Sequence, residues 1–204
     1  MILYLHGFTS GPQSVKAQAL GARMAARGLA ADFVCPQLPA SPAEAIALAE
    51  QIIMQQKGDA KVGAGNTATS EQSAAKITLA GSSLGGFYAT WLAEKYNLNA
   101  VLVNPAVVAR LSLEKFVGPQ RWLYTGEPFE FTRQHIHELH ALELSRLSQP
   151  QRFWLLAEEG DETLDYRAAV AYYAGARQTV LPGGDHSFTR WNDYLDEIID
   201  WRPQ

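Results

Sequence analysis

Apolar positions along the chain fall into two periods. Ile2 to Leu5, Ala31 to Cys35, Ile77 to Ala80, Ala100 to Val103, Phe153 to Ala157 and Gln178 to Leu181 are short runs with few polar interruptions. Runs of that length and composition predict strands covered on both faces. Between them the apolar residues recur at helical spacing. Val15, Ala19, Ala22 and Ala26 mark one face of a helix over 14–27, with Gly28 placed to end it. Ser41-Pro42-Ala43-Glu44 reads as a capping box with proline at the first helical position, opening a helix through Ile46, Ala49 and Ile53 to about Gln56. Further helices are expected over Leu84–Tyr96, ended by Asn97, over Thr163–Tyr173, closed by Gly175, and over Thr189–Trp201.

Strands that alternate with helices predict an α/β fold: a doubly wound, mostly parallel six-stranded sheet with helices on both faces. Residues 1–204 are expected to form one domain. Two stretches break the alternation. Lys57 to Lys76 is rich in Gly, Ala, Ser, Thr and Asn and has no large apolar residue beyond Val62, so it reads as a flexible surface insertion. Residues from about Val107 to Pro150 hold two short helical patterns around Tyr124-Thr125-Gly126-Glu127-Pro128. A connection that long between two strands reads as a short helical lid or binding wall.

In such a sheet the site lies beyond the C-terminal strand ends. The third strand ends on Gly81-Ser82-Ser83-Leu84-Gly85-Gly86 and a helix follows, which is the context in which G-x-S-x-G forms a nucleophile elbow. Ser83 is the nucleophile candidate, not Ser82, because only Ser83 has glycines, Gly81 and Gly85, at both flanking positions. The motif alone is short enough to arise by chance. Its weight comes from the other strand ends. A serine needs a base, and His186 follows the sixth strand. The base needs an orienting carboxylate, and Asp161 follows the fifth, with Glu158, Glu159 and Asp165 as competitors. Asp165 suits the first turn of a helix, and Asp185 adjoins His186 too closely to orient its ring. The chain order Ser83, Asp161, His186 is that of nucleophile-elbow hydrolases. Leu84 N–H and Phe8 N–H, the latter on the loop after the first strand, are the expected oxyanion donors. His6 reads as a side chain that shapes that loop.

Composition narrows the classes. The formal net charge is −4 with no basic run, so nucleic acid is not an expected partner. No apolar run approaches a membrane span, and the apolar start 1–5 is too short for a signal peptide. The single cysteine, Cys35, cannot form an internal disulfide and suits a cytoplasmic setting. It reads as a small apolar side chain. His135-Ile136-His137-Glu138-Leu139-His140 lacks the spacing of a zinc-binding helix, and no metal or cofactor is expected. Trp91, Trp154, Trp191 and Trp201 fall in core-facing patterns, whereas Trp122 and Phe129 to Phe131 could line an acyl pocket in the lid.

The stretches LYLHGF, PQLP, GSSLGGFYATWLAEKY, NPAV, YTGE, GDETLDYRAAVAYY, RQTV, GG-x-HSF and a closing aromatic helix make the chain resemble the small bacterial YqiA-type esterases of the α/β-hydrolase superfamily. The 57–76 stretch is longer than that resemblance leads one to expect. The resemblance implies a minimal hydrolase core and hydrolysis of short-chain acyl esters or acyl thioesters, including acyl-CoA. By position Ser83, Asp161 and His186 match the family triad. Two alternatives stand: another acyl chemistry on the same triad, such as peptide or C–C bond hydrolysis, or a non-catalytic binding protein on the hydrolase fold. Oligomeric state stays open.

Overall fold

A computed structural model describes residues 1–63 and 77–203. Six strands form one parallel sheet: β1 (Ile2–Leu5), β2 (Phe33–Val34), β3 (Thr78–Ser82), β4 (Asn99–Val103), β7 (Phe153–Glu158) and β8 (Arg177–Leu181). Their order is β2-β1-β3-β4-β7-β8. The chain therefore leaves β1 in one direction and returns past it to β3, which puts the switch point between these two strands. Loops that follow strands on either side of a switch point diverge and leave a crevice. The loop after β1 and the turn after β3 flank it.

Alternate residues of each strand face opposite layers. On one face Leu3, Leu5, Leu79, Leu102 and Leu155 pack against α2 (Pro42–Gly63), α3 (Leu84–Tyr96) and α5 (Tyr166–Tyr172) through Ile46, Ile53, Phe87, Leu92 and Tyr173. On the other Tyr4, Ala80, Val101, Trp154 and Leu156 pack against α1 (Val15–Ala26) and α6 (Leu195–Asp200) through Leu20, Met24, Ile198 and Trp201. Trp154, Trp191 and Trp201 are buried as their patterns require, and Trp91 is partly covered.

Several boundaries differ from expectation. The helix expected from Thr163 begins at Tyr166, capped by Asp165, and the one expected from Thr189 is a 3-10 turn over Trp191–Tyr194 before it becomes α-helical at Leu195. The second strand shrinks to Phe33–Val34, because it is an edge strand paired on one side only and Ala30–Asp32 close into a 3-10 turn before it. Helix α2 continues past Gln56 to Gly63, over residues expected to begin the insertion. Ala60, Lys61 and Val62 there are compatible with a helix, and no Pro intervenes. The remainder of that insertion, 64–76, lies outside the described residues. The lid, finally, is only partly helical. Its Gly/Pro-containing middle is a two-stranded antiparallel ribbon, β5 (Gly118–Arg121) with β6 (Pro128–Phe131), followed by one helix, α4 (Arg133–Ala141). Phe129 and Phe131 turn to one face of β6 while Pro128 and Glu130 turn out, a period of two over too few residues to stand out in the sequence.

The lid is anchored to the core by a carboxylate. Glu138 of α4 accepts from the Ser41 hydroxyl (2.8 Å) and Ala43 N–H (3.1 Å) at the start of α2. Ser41 Oγ accepts from Glu44 N–H (3.2 Å), one half of the expected capping box, and Glu138 of the lid takes the neighbouring Ala43 N–H. Burial pushes the Glu138 carboxyl up, but the hydrogen bonds from Ala43, Ser41 and Gln134 outweigh it and hold the group below its usual range.

Candidate active site

Ser83 stands between β3 and α3 with φ 55° and ψ −121°, a sparsely populated conformation for a residue with a side chain. The turn is held by backbone bonds: Ser83 N–H donates to Val103 O (3.0 Å), and Ser83 O accepts from Ala106 N–H (3.0 Å). The flanking glycines follow from crowding. A Cβ on Gly81 would come within 2.6 Å of Gly85 C and 2.7 Å of Gly86 N. One on Gly85 would come within 2.5 Å of Leu5 C and 2.6 Å of His6 O. Real Cβ atoms do not approach backbone that closely, so strand β1 can lie against α3 only where α3 begins with glycine.

The loops after β7 and β8 bring the other two candidates to Ser83. Ser83 Oγ lies 3.1 Å from His186 Nε2. His186 Nδ1 lies 2.8 Å from Asp161 Oδ2 and 3.0 Å from Oδ1. With the proton on Nδ1 donated to Asp161, Nε2 is left to accept from the serine hydroxyl. The Asp161 side chain is 1% exposed, and its Oδ1 also accepts from Thr163 N–H (2.9 Å) and Leu164 N–H (2.8 Å). Of its competitors, Glu159 is exposed and the other two are otherwise engaged. Asp165 caps α5 and pairs with Arg167 at the surface. Glu158 is wholly buried beneath the base loop, accepting from Asp185 N–H (2.8 Å) and Arg190 Nε–H (2.8 Å).

Phe8 N–H and Leu84 N–H, the expected oxyanion donors, take no protein acceptor among the described residues. The Phe8 ring fixes its own loop by edge contacts with Phe116, Phe129 and Phe131, ring centres 5.6, 5.9 and 5.2 Å away. Next to it Thr9 O accepts from Leu123 N–H of the lid (2.7 Å), which ties the lid to this loop. His6 is buried and faces away from Ser83: Nδ1 donates to Gly7 O (2.9 Å) and Nε2 accepts from Leu38 N–H (2.9 Å). Burial lowers its pKa, which keeps the ring neutral.

Ser83, His186, Phe8 and Leu84 line a cavity of about 620 Å³. Leu111, Leu113, Phe116, Phe131, Leu139 and Leu164 give it an apolar wall. Ser14, Lys16, Ser187 and Asn192 add polar groups to its lining. Lys16 Nζ donates to Ser187 O (2.7 Å), and burial lowers its pKa although Asp185, Glu158 and Asp161 oppose the shift. Trp122 and Phe129, expected at an acyl pocket, stack on each other at 4.5 Å around a separate, minor hollow by His6. Of the pair Phe129 and Phe131, only Phe131 reaches the cavity with Ser83. His135 caps its own helix with Thr132, and His140 meets Glu143. Among the described residues no cluster of His, Cys, Asp or Glu could hold a metal ion, and no helix is long and apolar enough to cross a membrane. Cys35 is partly covered, and burial pushes its thiol up to about 12.

The family model described as "Uncharacterised protein family (UPF0227)" matches residues 1–202. The chain belongs to UPF0227, the YqiA-type family. The solved structures similar to this UPF0227 member share its fold. A protein from Agrobacterium vitis S4 superposes with a TM-score of 0.67 at 18% identity, over 97% of this chain and 85% of its own. Alpha/beta hydrolase domain-containing protein 10 from mouse gives 0.64 at 18%, over 98% and 89%. Est1E from Butyrivibrio proteoclasticus, with ferulic acid bound, gives 0.61 at 13%, over 97% and 85%. At these identities the likeness speaks for the α/β-hydrolase fold.

Two neighbours of the site escaped the sequence reading. Glu162 accepts from His186 N–H (3.0 Å), and hydrogen bonds from its own and the His186 N–H hold its carboxyl below the usual range. Asn104, read only as the end of a strand, reaches the base loop. Nothing in a Glu inside an acidic turn, or in Asn before Pro, distinguishes these from ordinary turn residues.

Proposed function

We propose that this UPF0227 member is a serine hydrolase that cleaves acyl esters or thioesters through an acyl-enzyme. The observation that carries the reading is the continuous hydrogen-bond chain from Ser83 Oγ through His186 to Asp161, opening into a cavity with one apolar wall. His186 Nε2 takes the Ser83 proton as Oγ attacks the acyl carbonyl carbon. The carbonyl π electrons move to oxygen, and Phe8 and Leu84 N–H donate to that oxyanion. Collapse breaks the bond to the leaving oxygen or sulfur, which takes the proton from His186. Water then enters, gives a proton to His186 and splits the acyl-enzyme by the same path. Asp161 accepts from Nδ1–H throughout and holds the productive tautomer.

The apolar wall is suited to the acyl part of the substrate. A volume of about 620 Å³ sits in the ordinary range for small ligands and favours short and medium acyl groups. The test is a fluorophosphonate probe on folded protein followed by peptide mass spectrometry. Modification of Ser83 is expected. Absence of modification would favour a binding protein on a hydrolase fold. A series of p-nitrophenyl esters of increasing chain length beside acyl-CoA thioesters then ranks acyl length and leaving group.

A further inference from the structure

The segment that ends β4 touches the loops of all three candidate catalytic residues. Val103 O and Ala106 N–H hold Ser83 from both sides of its peptide. Between them Asn104 N–H donates to Leu156 O of β7 (2.9 Å). The residue is 3% exposed, and its side chain uses its donors and acceptor together. The two Nδ2 hydrogens go to consecutive carbonyls of the base loop, Asp185 O (3.0 Å) and His186 O (3.1 Å). Oδ1 accepts from Glu158 N–H (3.0 Å), three residues before Asp161. No other natural side chain of this size offers two hydrogens and an acceptor in one plane. Asn104 also has φ 40°, a left-handed conformation that Asn tolerates better than most residues.

These bonds have a consequence for geometry. A ring at the end of a loop is only as well placed as the backbone that carries it. The base loop crosses no sheet hydrogen bonds at 185 and 186. Its polar groups there are held largely by side chains: Asn104 takes both carbonyls, the first shared with Phe188 N–H (3.1 Å), Glu158 takes Asp185 N–H and Glu162 takes His186 N–H. Glu158 is in turn held by Arg190. Among the described residues, Asn104 ties that loop to the end of β4, whose backbone also holds Ser83 through Val103 O and Ala106 N–H. It does not line the cavity beside Ser83.

We propose that Asn104 is the positioning residue of this site, setting the distance between His186 and Ser83 through the base-loop carbonyls. The proposal rests on the serine-hydrolase reading above. It assigns Asn104 no contact with substrate, so its loss should appear in the acylation rate and not in binding.

The test uses Asn104→Gly, which keeps the positive φ at no cost and removes only the amide, and Asn104→Asp, which keeps the acceptor for Glu158 but sets an oxygen against two carbonyls. Circular dichroism and thermal melting establish that each variant is folded. For the folded variants kcat on p-nitrophenyl acetate is expected to fall about 10²-fold with KM nearly unchanged, because misplacement by about 1 Å costs that much. Fluorophosphonate labelling of Ser83 should slow by the same factor. In a His186→Ala background, Asn104→Gly should cause no further loss, since Asn104 acts through the base. A folded Asn104→Gly variant with wild-type kcat, or a loss carried by KM, would overturn the proposal. So would a further loss in the His186→Ala background. Full activity of His186→Ala itself would instead overturn the serine-hydrolase reading on which it rests.

Discussion

Gly85→Ala is the most economical perturbation of the elbow. It adds one methyl group, 2.5 Å from Leu5 C and 2.6 Å from His6 O. Non-bonded carbons sit comfortably at about 3.5 Å or more, so the end of β1 must retreat from α3 by about 1 Å. That strand end carries Gly7 and Phe8. The Phe8 N–H would therefore withdraw from the Ser83 side of the crevice by a similar distance. Two consequences follow on different links of the chain from packing to function. Crowding a filled site costs about 1–3 kcal/mol, and at about 2–4 °C per kcal/mol for a chain of this size the Tm should drop by roughly 2–12 °C. Displacement of an oxyanion donor by 1 Å should lower kcat on p-nitrophenyl acetate about 10²-fold. Gly58→Ala is the control. A Cβ there meets nothing within 4 Å on the exposed side of α2, so stability should rise by about 0.5–1 kcal/mol and kcat should not change. Gly85→Ala with a wild-type kcat and Tm would refute the crowding argument, and with it the account of why glycine stands there.

Further outcomes test separate parts of the account. Asp161→Asn should reduce kcat by up to about 10⁴-fold, while Asp165→Asn, which keeps a capping oxygen and removes only the charge of a surface ion pair with Arg167, should leave kcat and thermal stability nearly unchanged; the reverse order would put the acid elsewhere. Glu138 has a folded pKa below its unfolded one, so its stabilisation is present above the unfolded value of 4.5 and lost as pH falls through the folded value. Melting of Glu138→Gln beside the unaltered protein should accordingly show a gap at pH 7 that closes towards pH 3. Cys35, with its thiol pushed up to about 12, is about 10⁻⁴ thiolate at pH 8. Ellman's reagent should therefore react slowly with folded protein and rapidly in urea, and fast reaction in the folded state would contradict the burial.

The sheet, the elbow and the order of its three candidates were legible because each rests on a local rule. A short apolar run between turn residues is a buried strand wherever it lies, and β1, β3, β4 and β7 match their expected spans to within a residue or two. Gly81 and Gly85 advertise a backbone crowding that only a tight turn produces. Less legible were features decided by partners distant in sequence. The edge position of β2 depends on the strand order, not on Ala31 to Cys35 themselves. The β5–β6 ribbon alternates over too few residues to reveal its period. Glu138 looked like part of a histidine-rich helix, and its role as an anchor depends on Ser41 and Ala43, about a hundred residues away in the chain. Asn104 gave the weakest signal of all, because an Asn before a Pro ends many strands. The base loop it holds is more than eighty residues further along the chain.

The central claim is that Ser83 Oγ is the atom that attacks an acyl carbon. Turnover of p-nitrophenyl acetate by Ser83→Ala, measured beside the unaltered protein with both shown to be folded, tests it most directly. The account predicts the loss of acyl-enzyme turnover, with at most a residual of about 10³–10⁴ over the rate in water left by the oxyanion donors and substrate binding. Unchanged kcat in Ser83→Ala would contradict it.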